Sequence, residues 1–393
     1  MTSSPRAEAR VDLGAVRANV EALRDRAAGA RVMAVVKADG YGHGMLPCAR
    51  AALAGGASWL GVAFVEEALA LRAAGIAAPV LAWLLSPGED ARDAVSAGVD
   101  LSASAAWTVD EVARAAAATG TSARLHLKAD TGLSRGGAGR ADWPALVSRA
   151  LSAQAEGLVR VVGLWSHLAC ADTPGHPSID RQLAAFHDAV AYAEARGIHP
   201  EVRHLANSAA TLALPDARFD LVRTGIAVYG LTPLPQHGPP QKYGLRPAMT
   251  LSARLALVKR VPAGSGVSYG HRYTAGRDTT LALVPLGYGD GVPRHATNTC
   301  EVLVAGRRRR VAGTVCMDQF VLDVGDDLAG AGDEAVLFGP GGRGEPTAQD
   351  WADALGTISY EIVTRIGVRV PRTYADAAPY ESHAEPQARE GRR

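Results

Sequence analysis

Within its first 230 residues the chain alternates eight times between a short apolar run and an Ala-rich stretch with helical spacing. No other feature narrows the available folds as far, because strands that alternate with helices pair in parallel and have both faces covered. The strand-like runs are RVMAVVKA (31–38), WLGVAF (59–64), PVLAWLL (79–85), VDLSAS (99–104), RLHLKAD (124–130), VVGLWSHLA (161–169), VRHLANS (202–208) and DLVRTGIAVYG (220–230). Between them, segments such as EEALALRAAG and TVDEVARAAAATG carry apolar residues at helical intervals and end near glycine. Eight such repeats predict an N-terminal (β/α)8 TIM-type barrel over residues 8–240, with any chemistry at the C-terminal ends of its strands.

The rhythm breaks in the Pro/Gly-rich stretch PLPQHGPPQKYGLRP (233–247), which reads as a connection between domains. Beyond it come β-branched runs separated by Gly/Asp turns, among them MTLSARLALVKRV, TTLALVPLGYG, QFVLDVG and DEAVLFGP. They predict a mostly antiparallel β domain over 241–375, with a helix at TAQDWADALG. The basic run Arg307 to Arg310 reads as a solvated hairpin turn, and the polar tail 376–393 is expected to be disordered.

Composition excludes several functions. Lys+Arg 41 against Asp+Glu 40 gives a net charge of +1, so no charge excess points to nucleic acid or an anionic membrane. No apolar run is long enough to span a bilayer, and MTSSPRAEARVDLG lacks the apolar core of a secretory signal. Four cysteines without C-x-x-C or zinc-like spacing predict reduced thiols, no metal and a cytoplasmic location.

Only four of the basic residues are lysines: Lys37, Lys128, Lys242 and Lys259. Against that background, Lys37 in VVKADGYGHG stands out, near the end of the first strand and followed by Tyr41 in a Gly-rich turn. An amine so placed can hold an aldehyde cofactor as an imine. It can also simply snorkel at a strand end; lysine scarcity favours function. Lys128, in strand five of LKADTGLSRGG, needs an anion nearby if buried, and Arg135 lies in the next loop. An acidic partner such as Asp130 is the plainer account. His167 ends strand six, as a cofactor neighbour or a hydrogen-bonded core histidine. Ser208 at the end of strand seven, and Arg223, Gly225 and Ile226 of RTGIAVYG, are placed for a phosphate site between the last two strands, with Arg223 reaching a ring above it. In the second domain Tyr269, Tyr288, Met317, Asp318 and Tyr360 sit amid turns or at strand ends, and each alone is more simply structural.

Taken in order, AVVKADGYGHG, KADTGLSR, SHLACAD, RTGIAVYG, SYG, GYGDG, CMDQ and SYEIVTRIG resemble the alanine racemase family over roughly residues 8 to 375. The resemblance implies a pyridoxal 5'-phosphate enzyme that interconverts L-alanine and D-alanine, supplies D-alanine for peptidoglycan, and forms homodimers with composite active sites. It implies that Lys37 bears the cofactor as an internal aldimine and exchanges the α-proton on one face. Tyr269, from the other subunit, is the opposite acid/base. Tyr41, Ser208, Gly225, Ile226 and Tyr360 match the phosphate-binding set, Arg223 the contact to the pyridine nitrogen, and His167 a neighbour of the ring. Arg135 matches the contact to the phenolic oxygen that also assists the catalytic tyrosine, and Lys128 a lysine open to carbamylation. Tyr288 and Met317 match residues near the substrate carboxylate and entrance.

Racemisation needs a proton donor on each face of a planar carbanion, which a lysine and a tyrosine can supply. Arginine is a poor proton donor and leaves the pyridine nitrogen unprotonated, discouraging transamination. A related decarboxylase is expected to carry a carboxylate at that nitrogen and a cysteine in place of the tyrosine, so Arg223 and Tyr269 disfavour it. A single-barrel cofactor-binding protein would lack residues 240–375. A broad-specificity amino-acid racemase of the same fold is the harder alternative.

Overall fold

The computed structural model describes residues 5–376. The residues divide into two compact units, one built from Leu23–Lys37 and Ala49–Gly225, the other from the N-terminal segment through Ala22, Ala38–Cys48 and the chain from Ile226 onward. The tail expected to be disordered lies, apart from Asp376, outside the described residues.

The first unit is the eight-stranded barrel. After β1 (Ala7–Asp12), which belongs to the other unit, its strands are β2 (Arg31–Val35), β3 (Trp59–Val62), β4 (Val80–Ala82), β5 (Asp100–Ala103), β6 (Ala123–Lys128), β7 (Val159–Trp165), β8 (Val202–His204) and β9 (Leu221–Thr224). All pair in parallel in the order β8-β7-β6-β5-β4-β3-β2-β9. Strands β8 and β9 share no ladder. Two backbone bonds draw the ends together instead, Asp220 N–H to Arg203 O at 3.1 Å and Arg223 N–H to Ala206 O at 2.9 Å. The barrel strands are apolar because both faces are covered, as with Leu60, Leu81, Leu101 and Leu125, none of which is exposed. The run expected as a strand over 220–230 ends at Thr224 and continues as a 3-10 turn over Ile226–Tyr229.

The second unit holds a six-stranded sheet ordered Arg307–Arg310, Glu301–Val304, Glu334–Phe338, Met249–Arg254, β1 and Arg372–Ala375. Only the last pair is parallel, with Ala9 opposite Arg372. A three-stranded antiparallel sheet joins Leu257–Val261, Thr279–Val284 and Phe320–Gly325. Leu251, Val284, Phe320, Leu337, Phe338 and Trp351 lie in its core. The helix Ala348–Leu355 forms where expected, closed by a reciprocal cap in which Thr347 Oγ accepts from Asp350 N–H at 3.0 Å and Asp350 Oδ2 accepts from Thr347 N–H at 2.9 Å.

Two details correct the sequence reading. Arg307–Arg310 is an edge strand and not a turn; the turn is Ala305–Gly306, both at positive φ, as a two-residue hairpin requires. Three of its four arginines are paired, Arg307 and Arg309 with Asp327 and Arg308 with Asp350, and a charged edge discourages further pairing. Tyr360 sits not in a turn or at a strand end but on the short helix Ser359–Thr364.

Candidate active site

At the C-terminal end of the barrel strands, Lys37 stands two residues beyond the end of β2, half-buried, with Nζ 5.7 Å from the Trp83 ring centroid. Burial first, then the charge of Arg135, lower its pKa against the opposing pull of Glu67. Lys128, the last residue of β6, is buried, with Nζ 4.4 Å from the Trp165 ring centroid and no ion pair among the described residues. Burial and the charges of Arg223 and Arg135 push it down to about 8. Asp130 is not its salt-bridge partner. The Asp130 carboxylate instead accepts from the backbone N–H groups of Gly132, Leu133 and Ser134 at 2.9, 3.0 and 3.1 Å, pinning the loop that carries Arg135.

Arg223 points inward from β9 and is 5% exposed. Its guanidinium donates to the carbonyls of Ser166, His204 and Leu205 at 2.7, 2.9 and 3.1 Å, and to Nδ1 of His204 and His167 at 3.1 and 3.2 Å. No carboxylate contacts it among the described residues. Burial, together with Arg223, Arg135, Lys128 and Lys37, holds His167 down to about 3, so the imidazole is neutral and accepts from Arg223. Four basic side chains therefore weigh against a charge on this ring. Ser208 opens the helix Ser208–Ala213, capped by Asn207 Oδ1 on Ala210 N–H at 3.0 Å, and its Oγ accepts from Gly225 N–H at 2.8 Å. Ser208 and Gly225 are thereby joined across the β8 and β9 ends.

In the other unit, residues 38–41 form a left-handed turn, with φ of 53, 52, 61 and 53°. Such a run is costly for residues with a Cβ, and local contacts hold it in place. Asp39 Oδ1 accepts from Met45 N–H at 2.8 Å, and the Tyr41 carbonyl accepts from His43 Nδ1 at 3.0 Å. The Tyr41 ring lies 5.0 Å from that of Tyr229 and 6.2 Å from that of Tyr360, and burial raises its phenol pKa. Ile226 is buried in the core of this unit.

Tyr269, Tyr288 and Met317 are 76%, 44% and 54% exposed, unusual for side chains of this size. They are tied together through backbone. Tyr288 N–H donates to Cys316 O at 3.0 Å and Gly289 N–H to Met317 O at 2.8 Å. Ser268, forced to φ 61°, donates through Oγ to Thr314 O, and Thr314 Oγ1 donates back to Tyr269 O, both at 2.7 Å. An open depression of about 420 Å³, lined by Tyr269, His271, Leu283, Cys316 and Phe320 among others, adjoins them. Asp318 pairs with Arg369 at 2.8 Å, and Arg369 also grips buried Asp290.

The sequence reading missed Trp83 and Trp165, the rings beside the two lysines, and the polar interior residues Asp100, His126 and His204. Trp165 closes the run VVGLW at a strand end, where an aromatic could have been weighed as a platform; the interior polar residues had only their inward alternation as a signal.

Lysines, arginines and a neutral histidine converging on the strand ends, in a chain that adds a separate β unit, define an α/β-barrel enzyme. Family models named "Alanine racemase, N-terminal domain" and "Alanine racemase, C-terminal domain" match residues 11–233 and 248–374. The chain is 67% identical to the alanine racemase of Frankia casuarinae, over 93% of this chain and 95% of that protein. It is 64% identical to that of Thermobifida fusca, over 94% and 98%. Among solved structures, alanine racemase from D-cycloserine producing Streptomyces lavendulae superposes with a TM-score of 0.94 at 61% identity, covering 95% of this chain and 98% of that one. The chain belongs to the alanine racemase family.

Proposed function

We propose that this protein interconverts L-alanine and D-alanine with pyridoxal 5'-phosphate. The observation that carries the reading is the buried Arg223, held at the strand ends by neutral acceptors only, beside two lysines of lowered pKa. The donor set fits the cofactor: an amine of lowered pKa, a cationic mouth for an anionic ligand, and Ser208 with Gly225 where a phosphate would rest. When bound, pyridoxal 5'-phosphate supplies a carbonyl for amine capture and an electron sink for the deprotonated α-carbon.

Ser208, Gly225, Ile226, Tyr41 and Tyr360 hold the phosphate. Arg223 binds the ring nitrogen without giving up its proton, because a guanidinium remains charged even when burial weighs against it. His167, neutral, packs beside the ring, and Arg135 binds the phenolic oxygen. Lys37 Nζ takes or returns the α-proton on one face, and Tyr269 Oη of the partner subunit serves the other. Residues 241–375 thus complete the partner's site, which accounts for the exposure of Tyr269, with Tyr288 and Met317 near the substrate carboxylate. Lys128, largely unprotonated above about pH 8, is open to carbamylation, which places a negative charge beside Arg135 and Arg223. The homodimer acts in the cytoplasm and provides D-alanine for peptidoglycan.

The test is racemisation of L- and D-alanine by purified protein carrying the cofactor, followed by circular dichroism and α-proton exchange in deuterated water. Both directions proceed in the wild type. Lys37→Ala loses about 10²- to 10⁴-fold of the rate, as expected for removal of a general base, together with the visible absorption of the lysine-bound cofactor. Retention of both by Lys37→Ala overturns the reading.

A further inference from the structure

Arg223 can only donate hydrogen bonds, so His204 Nδ1, 3.1 Å from it, accepts. A neutral His204 then carries its proton on Nε2 and donates it to His126 Nδ1 at 2.9 Å. His126 in turn carries its proton on Nε2, which faces Asp100 Oδ2 at 3.2 Å. Asp100 closes the series, its other oxygen accepting from Arg124 Nε at 2.6 Å. A group that only donates stands at one end and one that only accepts at the other. The two imidazoles between them are therefore fixed in one tautomer and the chain in one direction.

The barrel is shaped around this series. His126, His204 and Asp100 are at most 1% exposed. Gly163, paired with His126 across β6 and β7, has no side chain, and a Cβ there would overlap the His126 ring at Nδ1. Trp165 stacks on His204 with centroids 5.5 Å apart and planes 4° from parallel, and its Nε1–H is anchored on Ser102 Oγ at 2.9 Å. The mechanism uses neither Asp100 nor His126, yet both occupy interior space that apolar residues would otherwise fill.

We propose that Asp100 and His126 are positioning residues for Arg223, acting through His204 to present it with a lone pair. The inference rests on the role proposed above for Arg223. The arrangement fixes the guanidinium through His204 while keeping the carboxylate of the series, Asp100, two rings away. Arg223 is thus oriented as firmly as an ion pair would orient it, with no acid beside the ring nitrogen it meets. In Asp100→Asn the amide oxygen stays with Arg124 and the NH₂ turns to His126. Each tautomer reverses, and His204 brings an N–H against the N–H groups of Arg223.

The test is ring-nitrogen NMR of ¹⁵N-histidine-labelled holoenzyme, which reads directly which nitrogen of His126 and His204 bears the proton; signals are assigned by their loss in His126→Gln and His204→Gln. In the wild type both carry it on Nε2. In Asp100→Asn both move to Nδ1, and kcat falls about 10- to 100-fold, as for loss of other supporting partners, while KM changes little. A wild-type spectrum with His204 protonated on Nδ1, or on both nitrogens, overturns the proposal without any variant. So does a folded Asp100→Asn with wild-type tautomers and kcat. Alanine racemisation is assayed on the same wild-type sample, so loss of the proposed activity and loss of the ordered chain are separate results.

Discussion

Lys128 is held down to about 8 from the usual 10.5 by burial and by the charges of Arg223 and Arg135, and this makes a signed prediction about stability. Between those values the unfolded chain binds the proton and the folded protein does not, so stability from this group rises as pH climbs from about 8 to 10.5. Lys128→Met removes that rise. In carbonate-free buffer the variant is more stable than the wild type near pH 7.5, by about 1–3 kcal/mol, and the gap closes towards pH 10, as read from urea midpoints. Added bicarbonate stabilises only the wild type if the amine takes up CO₂. Arg223 carries a second prediction at this scale. Arg223→Glu slows racemisation and raises the transaminated by-product, because a carboxylate supports a protonated ring nitrogen; the ratio of keto acid to inverted alanine measures it.

The left-handed turn at residues 38–41 depends on two glycines just beyond it. Gly42 has φ 80°, and a Cβ there would overlap the Val363 carbonyl; Gly44 has φ 95°, and a Cβ would overlap the Tyr374 hydroxyl. Gly42→Ala therefore destabilises the protein by about 2 kcal/mol or more in thermal or urea unfolding, and weakens cofactor retention through the displaced Tyr41. The barrel strands were legible in the sequence because runs such as VVGLW are buried on both faces and punctuated by glycine. β1 was not. Its buried positions are Ala7, Ala9 and Val11, and two alanines among charged residues carry little strand signal until a partner sheet covers them. The lysines, Arg223 and Ser208 were legible from type and strand-end position. Asp100, His126 and His204 were not, since an inward polar residue declares a role only when its partners on other strands are known, and these stand on β5, β6 and β8.

The composite site makes its own prediction for the assembled enzyme. Lys37→Ala and Tyr269→Phe are each nearly inactive, and mixing them under conditions of subunit exchange restores about one quarter of wild-type sites, since random pairing makes about half heterodimers with one intact site each. Exchange verified by mass labelling with no recovery overturns sharing of Tyr269 between subunits. At the same scale, the position of β1 bears on the order of synthesis. This strand lies between Met249–Arg254 and Arg372–Ala375, so the earliest of the described strands is among the last to be enclosed. At the pace of the ribosome about 20–70 s separate its appearance from that of its final neighbour, while the barrel strands are already complete by Thr224. A nascent chain halted before Arg372 carries one open edge beside β1, and is the species on which a chaperone or a protease has the longest opportunity to act.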